Sequence, residues 1–392
     1  QQIFQIPGGM RLNCKTRMAE LNWDSPKPLD EVQSKEITEG GVTFVHRGYW
    51  YQGTGEPIGN GGMGSAYAMF RCPEGEPAAV EQVVGKVFHE EYLYQLRTDP
   101  ITRGDHQMVT RSMERLTRID HPHVLRNYIA SPIANNFLNV TPRQSTTMAS
   151  AIAQHQLSPR KRVALLTQAL RAVDALHAAN MIHRDVTLRN ILVDEHLRNS
   201  FLFDFDLTVS LDDLQGASYK DRYKGRIFGS PGYSVAPEIL DPVLMDLPIS
   251  EALDIYAAGS AIFNLFTDEL PYGPTEDMWG LLLRISEGLV FHRESRVVYP
   301  PVVPDPLRPI IEGCLERNPR DRYRTIAEVI DCLEAVLPEL DADETRPEPR
   351  QSNTLRYGGL PKEERVKEVM EGRRDRSISE GLITDVDKAL AA

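Results

Sequence analysis

Short apolar segments separated by glycines fill the chain from residue 43 to about residue 90. Stretches such as "GVTFVHRGYWYQGTG", rich in Val, Phe, Tyr and Trp and bounded by glycine, are typical of β-strands. Farther along, Met113, Leu116 and Ile119 recur at the three-residue spacing of one helical face, which predicts a helix over residues 107–119. The pattern therefore predicts a β-rich first third followed by a helical remainder.

The strongest helical signal runs from Pro159 to Ala179. Its apolar residues repeat at three- and four-residue spacing: Leu166, Leu170, Val173 and Leu176. Ser158 is a favourable N-cap, and proline suits the first helical position that follows it. Helical patterning returns after residue 250 and continues to about Leu340. These segments predict a large helical lobe.

The ends of the chain differ in composition from this central part. Residues 1–42 have mixed charge and are interpreted as an N-terminal extension. Residues 339–392 include the charged, proline-bearing stretch "DADETRPEPRQSN" and are interpreted as a partly flexible tail with one short helix. Between them, residues 43–338 predict one α+β domain with a β-rich lobe over about 43–140 and a helical lobe over about 141–338.

Composition excludes several classes of protein. The net charge of −12 argues against general nucleic-acid binding and against docking on anionic lipid. Since the chain contains no run of about 18 apolar residues and no signal peptide, we expect no membrane span. The four cysteines form no C-x-x-C pair, which favours a reducing cytoplasm over a zinc site or disulfide framework.

A glycine-rich stretch, "GNGGMGSA", occupies residues 59–66. Glycines at 59, 61 and 64 fit the pattern G-x-G-x-x-G, in which backbone N–H groups approach phosphate oxygens unobstructed by a Cβ. The residues that follow favour a strand, whereas a dinucleotide-binding loop would lead into a helix. A hairpin over phosphates and a plain glycine-rich turn both stay open here. The candidate phosphate-binding residues are Gly59, Asn60, Gly61, Gly62, Met63, Gly64 and Ala66.

Charged and amide side chains interrupt three apolar runs farther along. Lys86 lies in "VVGKVF", where it either points from an edge strand to water or is aimed at nucleotide phosphates, because an unpaired lysine in a buried strand is unfavourable. "MIHRDVTLRN" carries Asp185 and Asn190, and "FLFDFDL" carries Asp204 and Asp206. An acid, an amide and a second acid from an adjacent loop and strand can share magnesium and a substrate hydroxyl.

These motifs, in this order, resemble the protein kinase signature over roughly residues 50–338. "ALHAANMIHRDVTLRN" is similar to the catalytic loop and its preceding helix, "GSPGYSVAPEI" to the end of the activation segment, and "CLERNPRDRYRT" to the closing motif. The resemblance implies a bilobal protein kinase-like fold. It also implies ATP- and Mg²⁺-dependent transfer of the γ-phosphoryl group to a serine or threonine hydroxyl of a protein substrate.

The resemblance assigns roles to individual residues. Asp185 matches the catalytic base, and Lys86 matches the lysine that contacts the α- and β-phosphates. Asn190 and Asp204 match the metal ligands, with ATP held beneath the glycine-rich stretch. Two structural roles are implied as well: an ion pair of Glu238 with Arg322, and bracing of the catalytic loop by Asp254.

Asp206 departs from the family, which has glycine after Asp-Phe. If the position required positive φ, a residue with a Cβ would cost of order 1–3 kcal/mol, which a stable fold tolerates. We therefore expect Asp204 to bind the metal. Asp206 is expected to stiffen the segment, or to contact the metal ligands without binding the metal itself. "DFD" also resembles the metal motif of small-molecule kinases, which keeps that function open as an alternative.

The catalytic loop also departs from the pattern. Thr187 stands where serine/threonine kinases usually carry lysine, whereas Arg189, four positions after Asp185, resembles tyrosine kinases. An arginine there is a candidate catalytic residue that neutralises the transferring phosphate. The "GSPGY" loop favours serine/threonine acceptors, and tyrosine or dual specificity stays open.

The glutamate that should pair with Lys86 is difficult to place. Ser112 occupies the expected helical position, and Glu114, the candidate, lies two residues away, roughly 200° round a helix. An irregular insertion, "RTDPITRGDHQ", is expected before this helix and leaves its register open. Without such an acid, the protein would be a pseudokinase scaffold or would need a protein activator.

Regulation and location are hypotheses at this stage. The segment after Asp204 contains hydroxyl side chains that phosphorylation could modify, with Arg184 as a phosphate partner. They are Ser210, Ser218, Tyr219 and Tyr223. Location is expected to be cytoplasmic, or the host cytosol if the chain is a secreted effector.

Overall fold

The computed structural model describes most of the chain between residues 26 and 342. The described residues are 4–5, 11–12, 23 and 26–342, apart from 62, 77, 215, 220–235, 241–242 and 272–298. Within these ranges every helix is too short or too polar to span a bilayer.

The first lobe is built on strands. Those strands are β1 (Phe4–Gln5), β2 (Arg11–Leu12), β3 (Lys27–Pro28), β4 (Thr43–His46), β5 (Tyr49–Asn60), β6 (Gly64–Pro73), β7 (Glu81–Phe88), β8 (Ile129–Ile133) and β9 (Asn136–Pro142). One seven-stranded sheet has the order β3-β4-β5-β6-β7-β9-β8, and β1 pairs with β2 separately. All neighbours in the large sheet are antiparallel except β3 and β4. The β-rich first third predicted from the sequence is confirmed.

Residues before the predicted boundary at residue 43 also belong to this sheet. Helix α1 (Ser34–Glu39) is preceded by a 3₁₀ turn at Leu29–Glu31, and it buries Ile37 completely against the strands. The backbone N–H of Ala134 donates to the carbonyl of Val32 at 2.9 Å, which joins this segment to the β8–β9 turn. The sheet therefore begins at Lys27.

Two helices follow β7: α2 (Glu90–Thr98) and α3 (Pro100–Leu116). The predicted helix over residues 107–119 exists, but it begins at Pro100, so the expectation of an irregular insertion is wrong. Proline tolerates the first helical position because the N–H it lacks would be unpaired there. Met113 and Leu116 are buried, as their spacing predicts.

The second lobe is mostly helical. Its helices are α4 (Met148–Gln154), α5 (Pro159–Ala178), α6 (Leu211–Leu214), α7 (Pro237–Leu240), α8 (Ala252–Thr267), α9 (Arg308–Cys314) and α10 (Ile326–Ala342). Short strands stand between them: β10 (Thr146–Thr147), β11 (Met181–Ile182), β12 (Ile191–Val193), β13 (Ser200–Leu202) and β14 (Val209–Ser210). Further 3₁₀ turns lie at Leu188–Asn190, Phe205–Leu207, Asp305–Leu307 and Pro319–Asp321.

Helix α5 lies at the centre of this lobe and begins as predicted. The Ser158 hydroxyl accepts a hydrogen bond from the Lys161 N–H at 3.3 Å, and Pro159 fills the first helical position. The predicted apolar face is fully buried, and α8 and α10 pack against it. The result is a two-lobed α+β fold, with the catalytic-loop segment following directly from α5.

Candidate active site

The glycine-rich stretch forms the hairpin between β5 and β6. The Gly61 N–H donates to the Gly64 carbonyl at 2.9 Å, and the Ser65 hydroxyl donates to Asn60 Oδ1 at 2.7 Å. Gly59, Asn60 and Gly61 are exposed, while Met63 and Ala66 are half-buried; Gly62 lies outside the described residues. The hairpin geometry predicted from the strand that follows the glycines is therefore present.

The tip of this hairpin is fastened to the end of β7. The His89 N–H donates to the Met63 carbonyl at 3.0 Å, and the His89 ring nitrogen Nε2 lies 3.0 Å from the Gly61 carbonyl oxygen. His89 comes three residues after Lys86, so one strand supports both the lysine and the glycine-rich tip. Sequence reasoning missed this histidine because no motif marks it.

Gly64, at the start of β6, lies close to the backbone of β7. A Cβ at this position would lie 2.4 Å from the Val87 carbonyl oxygen, which belongs to backbone that cannot move aside easily. We expect Gly64→Ala to destabilise the fold by about 1–3 kcal/mol, measured by urea unfolding. Gly104→Ala is the matched control, because nothing lies within 4 Å of its Cβ and alanine favours a helix interior. A Gly64→Ala chain as stable as the Gly104→Ala chain would contradict this account.

Lys86 lies in the interior of the sheet and not at its edge. Its strand β7 is flanked by β6 and β9, with Ala66 and Asn139 as cross-strand neighbours. The side-chain Nζ donates to Asp204 Oδ1 at 3.0 Å and lies 2.5 Å from Asp206 Oδ2. Burial alone would lower the pKa of Lys86, but the negative charges of Asp206 and Asp204 outweigh it and raise that pKa. The reading of Lys86 as a water-facing lysine is therefore wrong.

Asp206 is the more buried of the two acids. Its side chain is 5% exposed, against 31% for Asp204. Burial and the nearby charge of Asp204 raise the pKa of Asp206 to about 6, and the ammonium of Lys86 opposes that rise. Asp206 is therefore the more buried of the two ion-pair partners of Lys86, and the sequence did not reveal this role.

The backbone strain considered for Asp206 lies instead at Asp204. Asp204 has φ 60° and ψ 69°, in the left-handed region that aspartate enters more readily than most residues. Asp206 lies within the 3₁₀ turn Phe205–Leu207 and has no positive φ. A Cβ is therefore accommodated at the position where the family has glycine.

The catalytic-loop residues follow β11. Asn190 Nδ2 donates to Asp185 Oδ2 at 2.6 Å and to the Asp185 carbonyl at 3.0 Å. The Phe203 N–H donates to the Asn190 carbonyl at 3.1 Å, which ties this loop to the segment carrying Asp204. The structure therefore brings Asp185, Asn190, Asp204 and Lys86 into one chain of contacts.

A buried carboxylate on α8 holds the catalytic loop from below, as predicted. Asp254 accepts hydrogen bonds from the N–H groups of His183 and Arg184, each at 2.8 Å, and lies 3.0 Å from His177 Nε2. Burial would raise the pKa of Asp254, but the interactions with His177 and the loop lower it. The bracing role of Asp254 is confirmed.

An aromatic contact joins the catalytic loop to the DFD segment. The rings of His183 and Phe205 meet edge to face, with centroids 5.4 Å apart, and the His183 Nε2 lies 3.2 Å from the Phe203 carbonyl. Both side chains are buried. The catalytic loop and the DFD segment, which carry the candidate catalytic groups, therefore pack directly against each other.

Helix α3 contacts the segment that follows the DFD motif. Ser112, at the expected glutamate position, is fully buried, and its hydroxyl accepts from the Ser210 N–H at 3.1 Å. Arg115 donates to the Ser210 hydroxyl and lies 3.5 Å from Asp212 and 3.7 Å from Asp213. The helix is thus joined to this segment through serine and arginine side chains.

The remaining candidates differ in exposure. Glu114 lies on the exposed side of α3, and Arg189 is exposed beside the catalytic loop. Ser210 and Tyr219 are completely buried, so this arrangement does not present them for phosphorylation, whereas Ser218 is half-buried. Tyr223 lies outside the described residues.

The predicted ion pair of the helical lobe is present. The guanidinium of Arg322 donates to both carboxylate oxygens of Glu238, at 2.8 and 2.6 Å, and both side chains are fully buried. Arg322 also lies over the ring of Tyr256, 4.8 Å from its centroid. The pair anchors α7 to the closing motif.

Comparison with known proteins gives a family match and several relatives. A model of the protein kinase domain matches residues 53–332. The chain is 27% identical over 259 residues to the serine/threonine-protein kinase PkaB of Streptomyces coelicolor, covering 62% of this chain and 58% of the relative. It is 28% identical over 289 residues to PknE of Mycobacterium tuberculosis (73% and 46%) and 25% identical over 305 residues to the carbon catabolite-derepressing protein kinase of Saccharomyces cerevisiae (76% and 42%). The chain spans about half the length of these relatives.

Proposed function

This chain belongs to the protein kinase family, and we propose that it transfers the γ-phosphoryl group of ATP, with Mg²⁺, to a serine or threonine hydroxyl of a protein substrate. The observation that carries the proposal is the linked set of Asp185, Asn190, Asp204 and Lys86. Kinase catalysis consists mainly of positioning and charge neutralisation, which such a set can supply.

The donor set suits magnesium. The described residues contain no cluster of three or more His, Cys, Asp or Glu side chains that could enclose a metal. Magnesium bound with a nucleotide needs only one or two protein oxygens besides phosphate and water. Asn190 turns its amide NH₂ towards Asp185, which leaves its oxygen for a metal, and Asp204 supplies a carboxylate. When bound, the ion would neutralise charge on the phosphates.

Side chains and backbone of the protein would supply the other functions of the site. Asp185, oriented by the Asn190 amide, would hold the acceptor hydroxyl and take its proton. Lys86 would hold the α- and β-phosphates from the sheet above. The backbone of the hairpin at residues 59–64 would cover the phosphates, with its tip steadied by His89. Arg189 is exposed beside the loop, on the side from which we expect a substrate to approach.

The choice of acceptor rests on two observations of different kinds. Relatives from two bacteria carry names that describe them as serine/threonine-protein kinases. The "GSPGY" stretch favours the same acceptors, although Arg189 is unlike most members of that class. A protein substrate with a serine or threonine acceptor is therefore the proposal.

The alternatives fit these contacts less well. A scaffold without transfer activity would have no need of an oriented Asp185–Asn190 pair. A small-molecule kinase is favoured by "DFD" alone, whereas "HRD", the "APE" segment and the helical lobe argue against it.

Intact-mass measurement after incubation with Mg-ATP tests the proposal directly. We expect steps of one phosphate on the chain itself or on an added general acceptor protein, and peptide mapping should place them on serine or threonine. Asp204→Asn, or wild type with EDTA, should show none. Absence of transfer to any protein, while a small-molecule acceptor is phosphorylated, would overturn the proposal.

A further inference from the structure

The catalytic lysine is held here by acids from the DFD segment. We propose that Asp206 is the positioning residue for Lys86 and that it replaces, from within this segment, the glutamate that the family carries on the helix α3. The inference rests on the proposed function, since it concerns the lysine that would contact the phosphates. It assigns a role in the reaction to the residue at which this sequence departs from the family.

Distance and burial favour Asp206 over Asp204 as the ion-pair partner of Lys86, while the hydrogen bond from Nζ goes to Asp204 Oδ1. The Lys86–Asp206 contact is the shorter of the two, 2.5 Å against 3.0 Å, and Asp206 is the more buried acid. Charges attract more strongly where water is excluded. Lysine has a long flexible side chain, so a buried carboxylate restricts its position more effectively than an exposed one does.

Helix α3 offers no equivalent partner among its described side chains. The serine at the expected position, Ser112, is occupied with the backbone of Ser210, and Glu114 points to solvent. The ion-pair partners of Lys86 within the described residues are Asp204 and Asp206. Orientation of the lysine is therefore independent of an acid on this helix.

Asp206 also shares the ammonium of Lys86 with Asp204, whose Oδ1 accepts a hydrogen bond from Nζ at 3.0 Å. If Asp206 lost its charge, Asp204 would be the remaining acid beside Lys86, and the lysine would draw closer to it. An ammonium bound to that carboxylate competes with a cation for the same oxygens. Asp206 therefore acts on the reaction through both Lys86 and the metal ligand Asp204.

Substitution of Asp206 in the 392-residue chain tests this role. Asp206→Asn keeps the shape and removes the charge, whereas Asp206→Glu keeps the charge. We expect Asp206→Asn to lower kcat/KM for ATP and to raise the half-saturating Mg²⁺ concentration, each by roughly 10- to 100-fold, as for other groups that orient metal ligands. The KM for the protein substrate should not change, and Asp206→Glu should recover part of the loss.

Glu114→Gln distinguishes the proposed arrangement from the usual one. If a helix-borne glutamate held Lys86 during turnover, Glu114→Gln would reproduce the loss. We expect it to match wild type, with all variants folded by thermal unfolding. Wild-type kinetics and Mg²⁺ dependence in Asp206→Asn, or a loss in Glu114→Gln, would overturn the inference.

Binding of Mg-ADP, measured by calorimetry, separates this inference from the proposed function. If the wild-type chain binds Mg-ADP but transfers no phosphate, the proposed kinase function is refuted. Binding of Mg-ADP that is roughly 10- to 100-fold weaker in Asp206→Asn would still support the positioning role in that case. Equal binding by the two chains would refute that role whatever the activity. A wild-type chain that binds no Mg-ADP would overturn both.

Discussion

Asp185→Asn is expected to lower kcat by about 10²- to 10⁴-fold, the usual contribution of a positioned general base. Asparagine has almost the same shape as aspartate, and its oxygen can still accept the hydrogen bond that Asn190 donates at 2.6 Å. The substitution therefore removes the proton acceptor and leaves the surrounding loop in place. Because Asp185 would act on the acceptor hydroxyl and not on the nucleotide, the KM for ATP should change by less than about threefold.

Steady-state phosphorylation of a protein acceptor measures this effect. Asp120→Asn, which neutralises an exposed acid in the loop after α3, is the matched control and should behave as wild type. A kcat for Asp185→Asn within about tenfold of wild type would remove Asp185 from the role of base. A large rise in the KM for ATP with kcat unchanged would instead indicate a role in nucleotide binding.

The sequence predicted most reliably those features that local spacing determines. Helix α5 begins at Pro159 because its cap, its proline and its apolar face all agree. Asp185 and Asn190 are five residues apart, so their side chains meet within one loop. The long-range roles of Asp254 and Glu238 followed from the resemblance and not from physical reasoning on spacing.

Contacts between distant segments could not be predicted in the same way. Lys86 and Asp204 are 118 residues apart, and no periodicity indicates which acid of "DFD" turns towards the lysine. The left-handed conformation of Asp204, together with the turn after it, decides that Asp206 points to the buried side. The signal was present in the acid that replaces a glycine, but its partner is visible only in three dimensions.

Short elements were the other source of error. Strand β3 contains two residues, too few for an alternating pattern, so residues 1–42 were interpreted as an extension although Lys27–Pro28 pair with β4 at the edge of the sheet. The polar stretch before residue 107 lacks a clear apolar face, yet α2 and α3 are helical there. Contacts that a local window does not contain accompany these elements, such as the burial of Ile37 in α1 and of Met108 in α3.

The second large effect concerns stability. We expect Glu238→Gln to lower the free energy of unfolding by about 3–5 kcal/mol, the usual cost of removing one partner from a buried ion pair. Both Glu238 oxygens accept from Arg322, so glutamine would place an NH₂ group against a guanidinium that has only donors. The guanidinium, which also donates to the carbonyls of Ala252 and Glu316, would keep its buried charge without compensation.

Urea unfolding of matched variants tests whether burial causes this loss. Glu334→Gln breaks a pair with Arg171 whose side chains are 41% and 47% exposed, so we expect a loss of at most about 1 kcal/mol. Replacing both members of the buried pair, as in Glu238→Leu with Arg322→Met, should be less destabilising than Glu238→Gln alone, because no unpaired charge is left inside. Equal losses for Glu238→Gln and Glu334→Gln would show that the buried pair contributes no more than an exposed one. A double variant that is less stable than Glu238→Gln would instead show that the loss comes from removing the ion pair between α7 and the closing motif. The unpaired charge of Arg322 would then not be its cause.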